Sequence, residues 1–582
     1  MSVAPVTAER GPRLPGRGMS GSAWRTAGLL ASAAVPVVSL GLFFLYPVGS
    51  LLGRGLLVDG SWQLQAFADV LGRSRIQQIL WFTLWQAAAS AGLCLLLGLP
   101  GAYMLYRCSF PGRGLVRALV TIPFVLPTVV VGLAFRTLFA DDGLLGSWGW
   151  DGSVGAILAA HVFLNYVVVV RTVGASWAGL DDREVLAARS LGAGPVRAFV
   201  TVTLPALAPA VLGAASMVFL FCATSFGIML VMGGGRYSTL ETEIYRQTVD
   251  IFDLRTAAVL SVVQIVGVAV LLVVTGLLRS RAEATWRTAS TLRRGITRGA
   301  VPAALITAAT VLAMAVPLAV LVVRSLRTQT SAGTGWGLDN YRALGTLGAD
   351  NIMLVPVTTA LGNSVRAAMF AAIGALLVGL VVSALLARRP RSIAGRRLLS
   401  SVDAVMMLPL GVSAVTVGFG FLIAFDSAPL DWRGEPWLVP VAQGLVAMPL
   451  VVRMILPVLR STDDRLRQAA AVLGSSPLRV WRDVDLPIVS RALAGAAAFA
   501  FVIPMGEFGA TSFLATPQNP TLPVVIGRLI SRPGAANTGT ALAAATVLAV
   551  TCVLAVLLVE SLVRRGDRRG DRRNTVDHLG GF

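Results

Sequence analysis

Cysteine and histidine, the residues that bind zinc and other transition metals, are scarce in this 582-residue chain. They are four cysteines and two histidines, namely Cys94, Cys108, Cys222, Cys552, His161 and His578. The cysteines lie far apart and form no Cys-x-x-Cys pair, which argues against a metal site or a disulfide framework. The chain contains no lysine, and a phosphate-binding P-loop requires one. We therefore expect no metal or cofactor on this chain, and any ATP that drives it must be bound by another polypeptide.

One acidic residue, Glu507, stands inside an apolar stretch that is long enough to cross a membrane. An ionisable group at the centre of a span costs at least about 2.5–3.5 kcal/mol, so it needs a reason to be there. We hypothesise that Glu507 faces a pathway and helps a cation to pass. The alternative is a glutamate that is hydrogen-bonded between helices. Ser225, at the duplicate position described below, and Asn165 are further pathway candidates.

Two polar loops, 181–205 and 463–487, interrupt the apolar stretches. In the first loop, Asp181 and Glu184 have the spacing of a capping box, and Gly192 is suited to the left-handed end of a short helix. Gly194-Pro195 then suits the start of a second short helix. The pattern predicts a helix–turn–helix at the membrane surface, which either docks another protein, with Phe199 or Trp481 as an anchor, or rests on the bilayer.

The composition indicates that the protein that contains these loops is a membrane protein. Hydrophobic residues make up 55% of the chain and charged residues 13%, against about 25% in soluble proteins. This excludes a soluble enzyme, a secreted disulfide scaffold and a disordered protein. The formal net charge of +20 comes from arginines in short clusters between apolar runs, which is typical of membrane topology rather than of nucleic-acid binding.

A span needs about 20 apolar residues, and the sequence predicts twelve of them in an all-α membrane protein. They lie near 26–52, 79–105, 115–139, 154–178, 207–232, 256–279, 300–323, 359–387, 402–425, 437–459, 488–515 and 538–563. The positive-inside rule then places both termini in the cytoplasm. The predicted organisation is a cytoplasmic N-terminal tail, two membrane domains, a linker between them and a cytoplasmic C-terminal tail. Their limits are 1–25, 26–280, 281–299, 300–563 and 564–582.

The two membrane domains align without gaps over the better part of 80 residues when the sequence is shifted by 282 positions. Arg171 then meets Arg453, and Leu204-Pro205 meets Leu486-Pro487. Such spaced identities indicate duplication of one six-span unit, and two parallel units imply an axis along the membrane normal with a pathway between them. After the fifth span, Glu241, Glu243 and Asp250 are expected on the outer side, in a solvated loop. The alternative is that they meet basic residues of a protein that delivers the substrate.

The two loops resemble the EAA loops of ABC importer permeases of type I, in which this loop docks in a cleft of the ATPase. By this resemblance Ala187, Ala188 and Gly192 take the motif positions in the first loop, and Ala469, Ala470 and Gly474 take them in the second. The chain departs from the motif at its glutamate, where Leu186 and Gln468 stand. A fused pair of this length is similar to the permeases of ferric iron and thiamine importers.

The resemblance implies a chain that carries no catalytic residue. Two copies of a cytoplasmic ATPase would bind ATP and magnesium, and an external binding protein would deliver ferric iron or thiamine to a permease in the bacterial plasma membrane. The alternative class is a proton-coupled secondary transporter, which also has twelve spans in two parallel repeats. That class requires a titratable group at mid-membrane, for which Glu507 is the one candidate, and it gives no reason for two matched loops.

Overall fold

The computed structural model describes residues 34, 36–58, 61–62, 65–280, 294–330, 333–347, 353–387 and 393–577. Most of these residues are helical. The predicted N-terminal tail, residues 281–293 of the predicted linker and His578 lie outside the described residues. The domain limits proposed from the sequence therefore remain predictions.

Residues 36–40 are helical. Among the described residues, twelve further α-helices, α1 to α12, precede the linker. They are Tyr46–Leu56, Gln65–Leu71, Ser74–Arg107, Arg113–Val125, Thr128–Phe139, Val154–Ala178, Asp182–Ser190, Pro195–Ala198, Leu204–Ala223, Gly227–Met232, Leu240–Val249 and Leu254–Ser280. Twelve more, α13 to α24, follow it. They are Val301–Ser325, Asp339–Arg342, Val357–Leu386, Ile393–Gly411, Ala414–Ala424, Leu438–Ser461, Asp464–Val472, Pro477–Val480, Leu486–Gly506, Thr511–Leu514, Leu522–Ile530 and Ala535–Asp577.

Short irregular elements connect these helices. The π-helical turns are Gly41–Leu45, Phe199–Thr203 and Trp481–Asp485, and the 3₁₀ turns are Gly146–Trp148, Arg298–Ala300 and Ala343–Gly345. The part of the chain that the structure describes contains six short strands, β1 to β6, namely Leu57–Val58, Ser61–Trp62, Cys108–Ser109, Arg294–Gly295, Arg327–Thr330 and Gly333–Trp336. Strands β1–β2 and β5–β6 pair antiparallel, whereas β3 pairs with β4 in parallel, Cys108 opposite Arg294.

The number of uninterrupted spans is smaller than the sequence suggested. Among the described residues, ten helices are long and apolar enough to cross a membrane, and α4 with α5 makes an eleventh although the pair bends by 102°. Pro127 stands at that break, where it cannot continue a helix. The predicted span 402–425 is divided between α16 and the 11-residue α17. Ten or eleven of the twelve predicted spans are thus supported by length and hydropathy.

The duplication is visible in the helices themselves. Helix α7 and its counterpart α19 have equal lengths at an offset of 282 residues, as do α8 and α20, and α9 begins at Leu204 where α21 begins at Leu486. The same local signals therefore produce the same elements twice. This regularity confirms the two parallel repeats that the sequence predicts.

The first spanning helix of each half packs against the other half. Helix α1 contacts α17 as well as α12, and α13 contacts α3, α5 and α24. The largest buried apolar cluster accordingly takes residues from both halves, among them Val129 and Val525. This exchange joins the two repeats into one membrane unit.

Candidate coupling loops and pathway

The first loop is a helix–turn–helix. Helix α7 begins after Asp181, whose carboxylate accepts a hydrogen bond of 2.9 Å from the backbone N–H of Arg183, so the aspartate caps the helix without the predicted capping box. Gly192 has a φ of +89° and ends the helix in the left-handed conformation. Gly194 and Pro195 start α8 as the sequence predicts.

The second loop repeats this geometry. Asp463 caps α19 by accepting a hydrogen bond of 2.9 Å from the N–H of Arg465, and Gly474 has a φ of +83°. In both loops a π-helical turn continues into the next span, at Phe199–Thr203 in the first and Trp481–Asp485 in the second. The helix–turn–helix fold predicted for both loops is confirmed.

Arginine contacts attach both loops to the membrane helices. Arg107, at the end of α3, pairs with Asp182 and also donates to the carbonyl oxygens of Trp177 and Leu180 at 3.3 Å each. In the second loop, Arg467 bonds two residues of the loop itself, Asp485 at 2.8 Å and Asp464 at 2.7 Å. It also donates to the carbonyl oxygen of Leu459 in α18 at 3.2 Å, which attaches the loop to that helix. Burial disfavours the charge of Arg467, but its hydrogen bonds and charge pairing with Asp485 outweigh burial and raise its pKa. Each loop is thus attached to its own half through one arginine, Arg107 in the first and Arg467 in the second.

Both loops expose apolar side chains at equivalent positions. Leu191 and Leu473, which are 89% and 85% exposed, occupy the same place in the two repeats. Val196 and Leu478 form a second exposed pair, 282 positions apart. Large apolar side chains without neighbours are costly in water and mark an interaction surface. Both repeats have leucine at this position, and this repetition is the feature of the sequence from which the surface could have been predicted. Neither Leu191 nor Leu473 is among the predicted docking residues.

The motif residues lie on the same hairpins. Ala187 and Ala469 are exposed, whereas Ala188 and Ala470 are half-buried. Phe199 and Trp481 are also half-buried, and the Phe199 ring packs against Trp177 with centroids 5.8 Å apart. Phe199 therefore contributes to holding the first loop against α6. The docking roles of these residues remain predictions.

Aromatic rings of both halves pack together where the halves meet. Phe226 and Phe508, which are equivalent in the two repeats, stack with ring centroids 5.3 Å apart and planes inclined by 22°. Tyr245 packs on Phe226 at 5.2 Å and on Phe513 at 5.4 Å. We call these four rings the aromatic cluster. Because two equivalent residues stack on each other, the aromatic cluster lies on the axis that relates the repeats. The sequence alone does not show this position.

Two predicted pathway residues adjoin this cluster. Ser225 and Glu507 directly precede the stacked rings and are 6% and 7% exposed. The Glu507 carboxylate accepts hydrogen bonds from the backbone N–H groups of Ala510 at 2.7 Å and Thr511 at 3.0 Å, so it holds the start of α22. The Ser225 hydroxyl has no hydrogen-bond partner among the described residues.

The third candidate, Asn165, lies within the first half. Its amide donates to the carbonyl oxygen of His161 at 2.9 Å and to the sulfur of Cys222 at 3.5 Å. It therefore connects α6 with α9, as a polar residue between two membrane helices commonly does. Its part in transport remains a prediction.

Of the three acidic residues expected in a solvated loop after the fifth span, Asp250 is exposed, but the expectation was wrong for the other two. Glu241 and Glu243 are both completely buried on α11. Glu241 accepts hydrogen bonds from Gln264 on α12, at 2.6 Å, and from the hydroxyl of Ser413 in the second half. Thr416 completes the network by donating to Gln264 at 3.2 Å. We call these four residues the inter-half network.

These features define a class of membrane transporter. A polytopic helical chain of two parallel repeats, each with an exposed helix–turn–helix between its fourth and fifth spans, has the architecture of an ABC importer permease. The chain belongs to the family described as binding-protein-dependent transport system inner membrane component, whose model matches residues 95–287 and 379–568. It is a multi-pass inner-membrane protein, and a permease of this class works with an ATPase and a substrate-binding protein.

Named relatives align over nearly the whole chain. The thiamine transport system permease protein ThiP of Brucella abortus is 27% identical over 93% of this chain and 98% of its own length. The protein of the same name from Salmonella typhimurium is 25% identical over 96% and 99%. Among solved structures, a bacterial ABC transporter involved in the import of alginate matches 46% of this chain and 99% of its own, at 17% identity and a TM-score of 0.36.

Proposed function

We propose that this chain is the permease of an ABC importer for thiamine. The observation that carries the proposal is the full-length similarity to two proteins named as thiamine permeases, which extends over both repeats and not only over the loops. A similarity confined to the loops would support docking of an ATPase without supporting a substrate.

The aromatic cluster supports thiamine over ferric iron. Thiamine is a flat organic cation that contains a thiazolium and a pyrimidine ring, and aromatic faces attract such cations. Ferric iron prefers oxygen ligands instead. The carboxylates nearest to the contact between the halves, Glu241 and Glu507, are already engaged in hydrogen bonds with protein groups. Ser225 offers a hydroxyl that is available to a passing polar substrate.

Two ATPase subunits dock on the two loops, one on each. The support is the pair of matched apolar surfaces around Leu191 and Leu473, which has the two-fold repetition that two identical partners need. The ATPases bind the ATP and magnesium, and this chain contributes no catalytic group. The loops and both termini then face the cytoplasm, in agreement with the arginine clusters at that end of the spans.

Transport follows from movement of the two halves against each other. In the closed arrangement, the aromatic cluster blocks the axis between the halves. Closure of the ATPases on ATP draws the two loops together. Because Arg107 attaches the first loop to its half and the bond from Arg467 to the Leu459 carbonyl attaches the second, the halves rotate and the stacked rings separate. An external binding protein then delivers thiamine to the open side. This chain supplies the two-state element, and the ATPases bias its equilibrium.

Uptake of labelled thiamine by cells with and without the gene tests the proposal. We expect deletion to abolish thiamine uptake at low external concentration and to leave ferric iron uptake unchanged. Loss of iron uptake alone would assign the permease to iron. Uptake that continues without any ATPase and follows the proton gradient would identify a secondary transporter.

A further inference from the structure

Two buried glutamines hold the same backbone atom in the two halves. The side-chain amide of Gln86, on α3, donates a hydrogen bond of 2.9 Å to the carbonyl oxygen of Cys222, near the end of α9. The amide of Gln443, on α18, donates a bond of 3.0 Å to the carbonyl oxygen of Pro504, near the end of α21. Pro504 lies 282 positions after Cys222, so the two acceptors are equivalent in the repeat.

The duplication does not account for these two bonds. Ala368 stands at the position equivalent to Gln86, and His161 stands at the position equivalent to Gln443. The donor therefore comes from the second span in the first half and from the fourth span in the second half. Because two different helices supply a donor to the same carbonyl oxygen, this point of the fifth span needs an anchor, whichever helix provides it.

Both glutamines are kept at a cost to the fold. Gln86 is completely buried and Gln443 is 1% exposed, and the amide oxygen of each has no hydrogen-bond partner among the described residues. The amide nitrogen of Gln86 also donates to the carbonyl oxygen of Thr83 at 3.2 Å, so both of its hydrogens are used. A buried acceptor without a partner is unfavourable, and an apolar side chain would fill the space without it. The donated bond is therefore the feature that explains a glutamine at each position.

The anchored oxygens lie four residues before Phe226 and Phe508, the stacked rings of the aromatic cluster. Each oxygen also accepts a hydrogen bond from the backbone N–H of the residue that directly precedes the ring, Ser225 at 3.4 Å and Glu507 at 3.1 Å. Helices α9 and α21 end before the rings, so a short non-helical link connects each helix to its ring. A glutamine from a neighbouring helix thus fixes the start of each link.

From this geometry we propose that Gln86 and Gln443 are positioning residues of the aromatic closure. Each holds the end of the fifth span of its half, and together they align Phe226 with Phe508 across the axis. Loss of either bond lets one link turn, so the rings are stacked for a smaller share of the time and the closed pathway leaks. The inference rests on the proposed function, in which the stacked rings block the axis between the halves.

Efflux of labelled thiamine from proteoliposomes without ATP tests the inference. Gln86→Met and Gln443→Met keep an unbranched side chain of similar length but remove the donor. We expect each variant to leak about 2- to 12-fold faster than the wild type, which corresponds to the loss of one hydrogen bond of about 0.5–1.5 kcal/mol. Gln247→Met is the matched control and should stay tight, because Gln247 is also buried but donates to the side chain of Glu243, at 2.6 Å.

A second arm separates positioning of the rings from loosening of the fold. When Phe226→Ala and Phe508→Ala are combined, the rings are absent, and Gln86→Met should then add no further leak. A purely structural role would increase the leak with or without the rings. Gln86 and Gln443 lie in different halves, so either variant alone tests the inference if the other does not fold.

Several results would overturn the inference. If Gln86→Met and Gln443→Met are as tight as the wild type while the variant without both rings leaks, the inference falls and the aromatic closure stands. An equal leak from Gln247→Met, or a further leak from Gln86→Met in the absence of the rings, would show general loosening. If the variant without both rings is itself tight, the closure in the proposed function falls, and the inference falls with it.

Discussion

Substitution of Leu473 by serine tests whether the loops dock the ATPase. Leu473 is 85% exposed at the turn of the second loop, so nearly its whole side chain is available for burial by a partner. Burial of a leucine side chain is worth about 1.5–3 kcal/mol, which corresponds to about 10- to 150-fold in affinity. We expect Leu473→Ser to weaken ATPase binding by that factor at the second loop, and Leu191→Ser to do the same at the first.

The assay is titration of a fluorescently labelled ATPase against the permease in lipid nanodiscs, with Leu144→Ser as the matched control. Leu144 is 67% exposed and lies in the loop after α5, at the end of the spans predicted to face outward. Its substitution should leave the affinity unchanged. If Leu473→Ser and Leu191→Ser bind the ATPase like the wild type, the hairpins rest on the bilayer and the exposed leucines are not a docking surface.

Three further substitutions test other parts of the account. Gly474→Val forces a β-branched residue to a φ of +83°, at a cost of about 1–2 kcal/mol, and should reduce thiamine-stimulated ATP hydrolysis. Gly299 also has no atom within 4 Å of an added Cβ, but its φ is not positive, so Gly299→Val should leave ATP hydrolysis unchanged. Combined Phe226→Ala and Phe508→Ala substitution removes the stacked rings and should let thiamine leak through proteoliposomes without ATP; a tight double variant would refute the aromatic closure. Glu241→Ala leaves the buried amide of Gln264 and the hydroxyl of Ser413 without their acceptor, at a cost of about 1–3 kcal/mol each. It should therefore lower the thermal stability of the permease, and Glu241→Gln should lower it less. Equal melting temperatures for wild type and Glu241→Ala would contradict the network.

The loops were predictable because their signals are local. A capping aspartate, a glycine in the left-handed conformation and a proline at the first helical position each act within a few residues, and the second copy repeats them. The spans were predictable from hydropathy, but their interruptions were not fully so. The bend at Pro127 and the break before Ala414 depend on how neighbouring helices pack.

The contacts between the halves could not be predicted from local pattern. Glu241 stands in a polar segment that also contains Glu243, which is typical of a solvated loop. Its hydrogen-bond partners Gln264 and Ser413 lie 23 and 172 residues away, and only the folded chain brings them together. The stacking of Phe226 on Phe508 likewise requires the axis between the repeats, although the repeat itself pointed to their equivalence.

The central claim is that this permease imports thiamine with energy from an ATPase docked on its two loops. The most direct measurement is accumulation of labelled thiamine by proteoliposomes that contain the permease, its ATPase and its binding protein. We expect accumulation only with ATP, and its loss when Leu191→Ser and Leu473→Ser are combined. Accumulation that proceeds without ATP, or that is unaffected by the double substitution, would contradict the account.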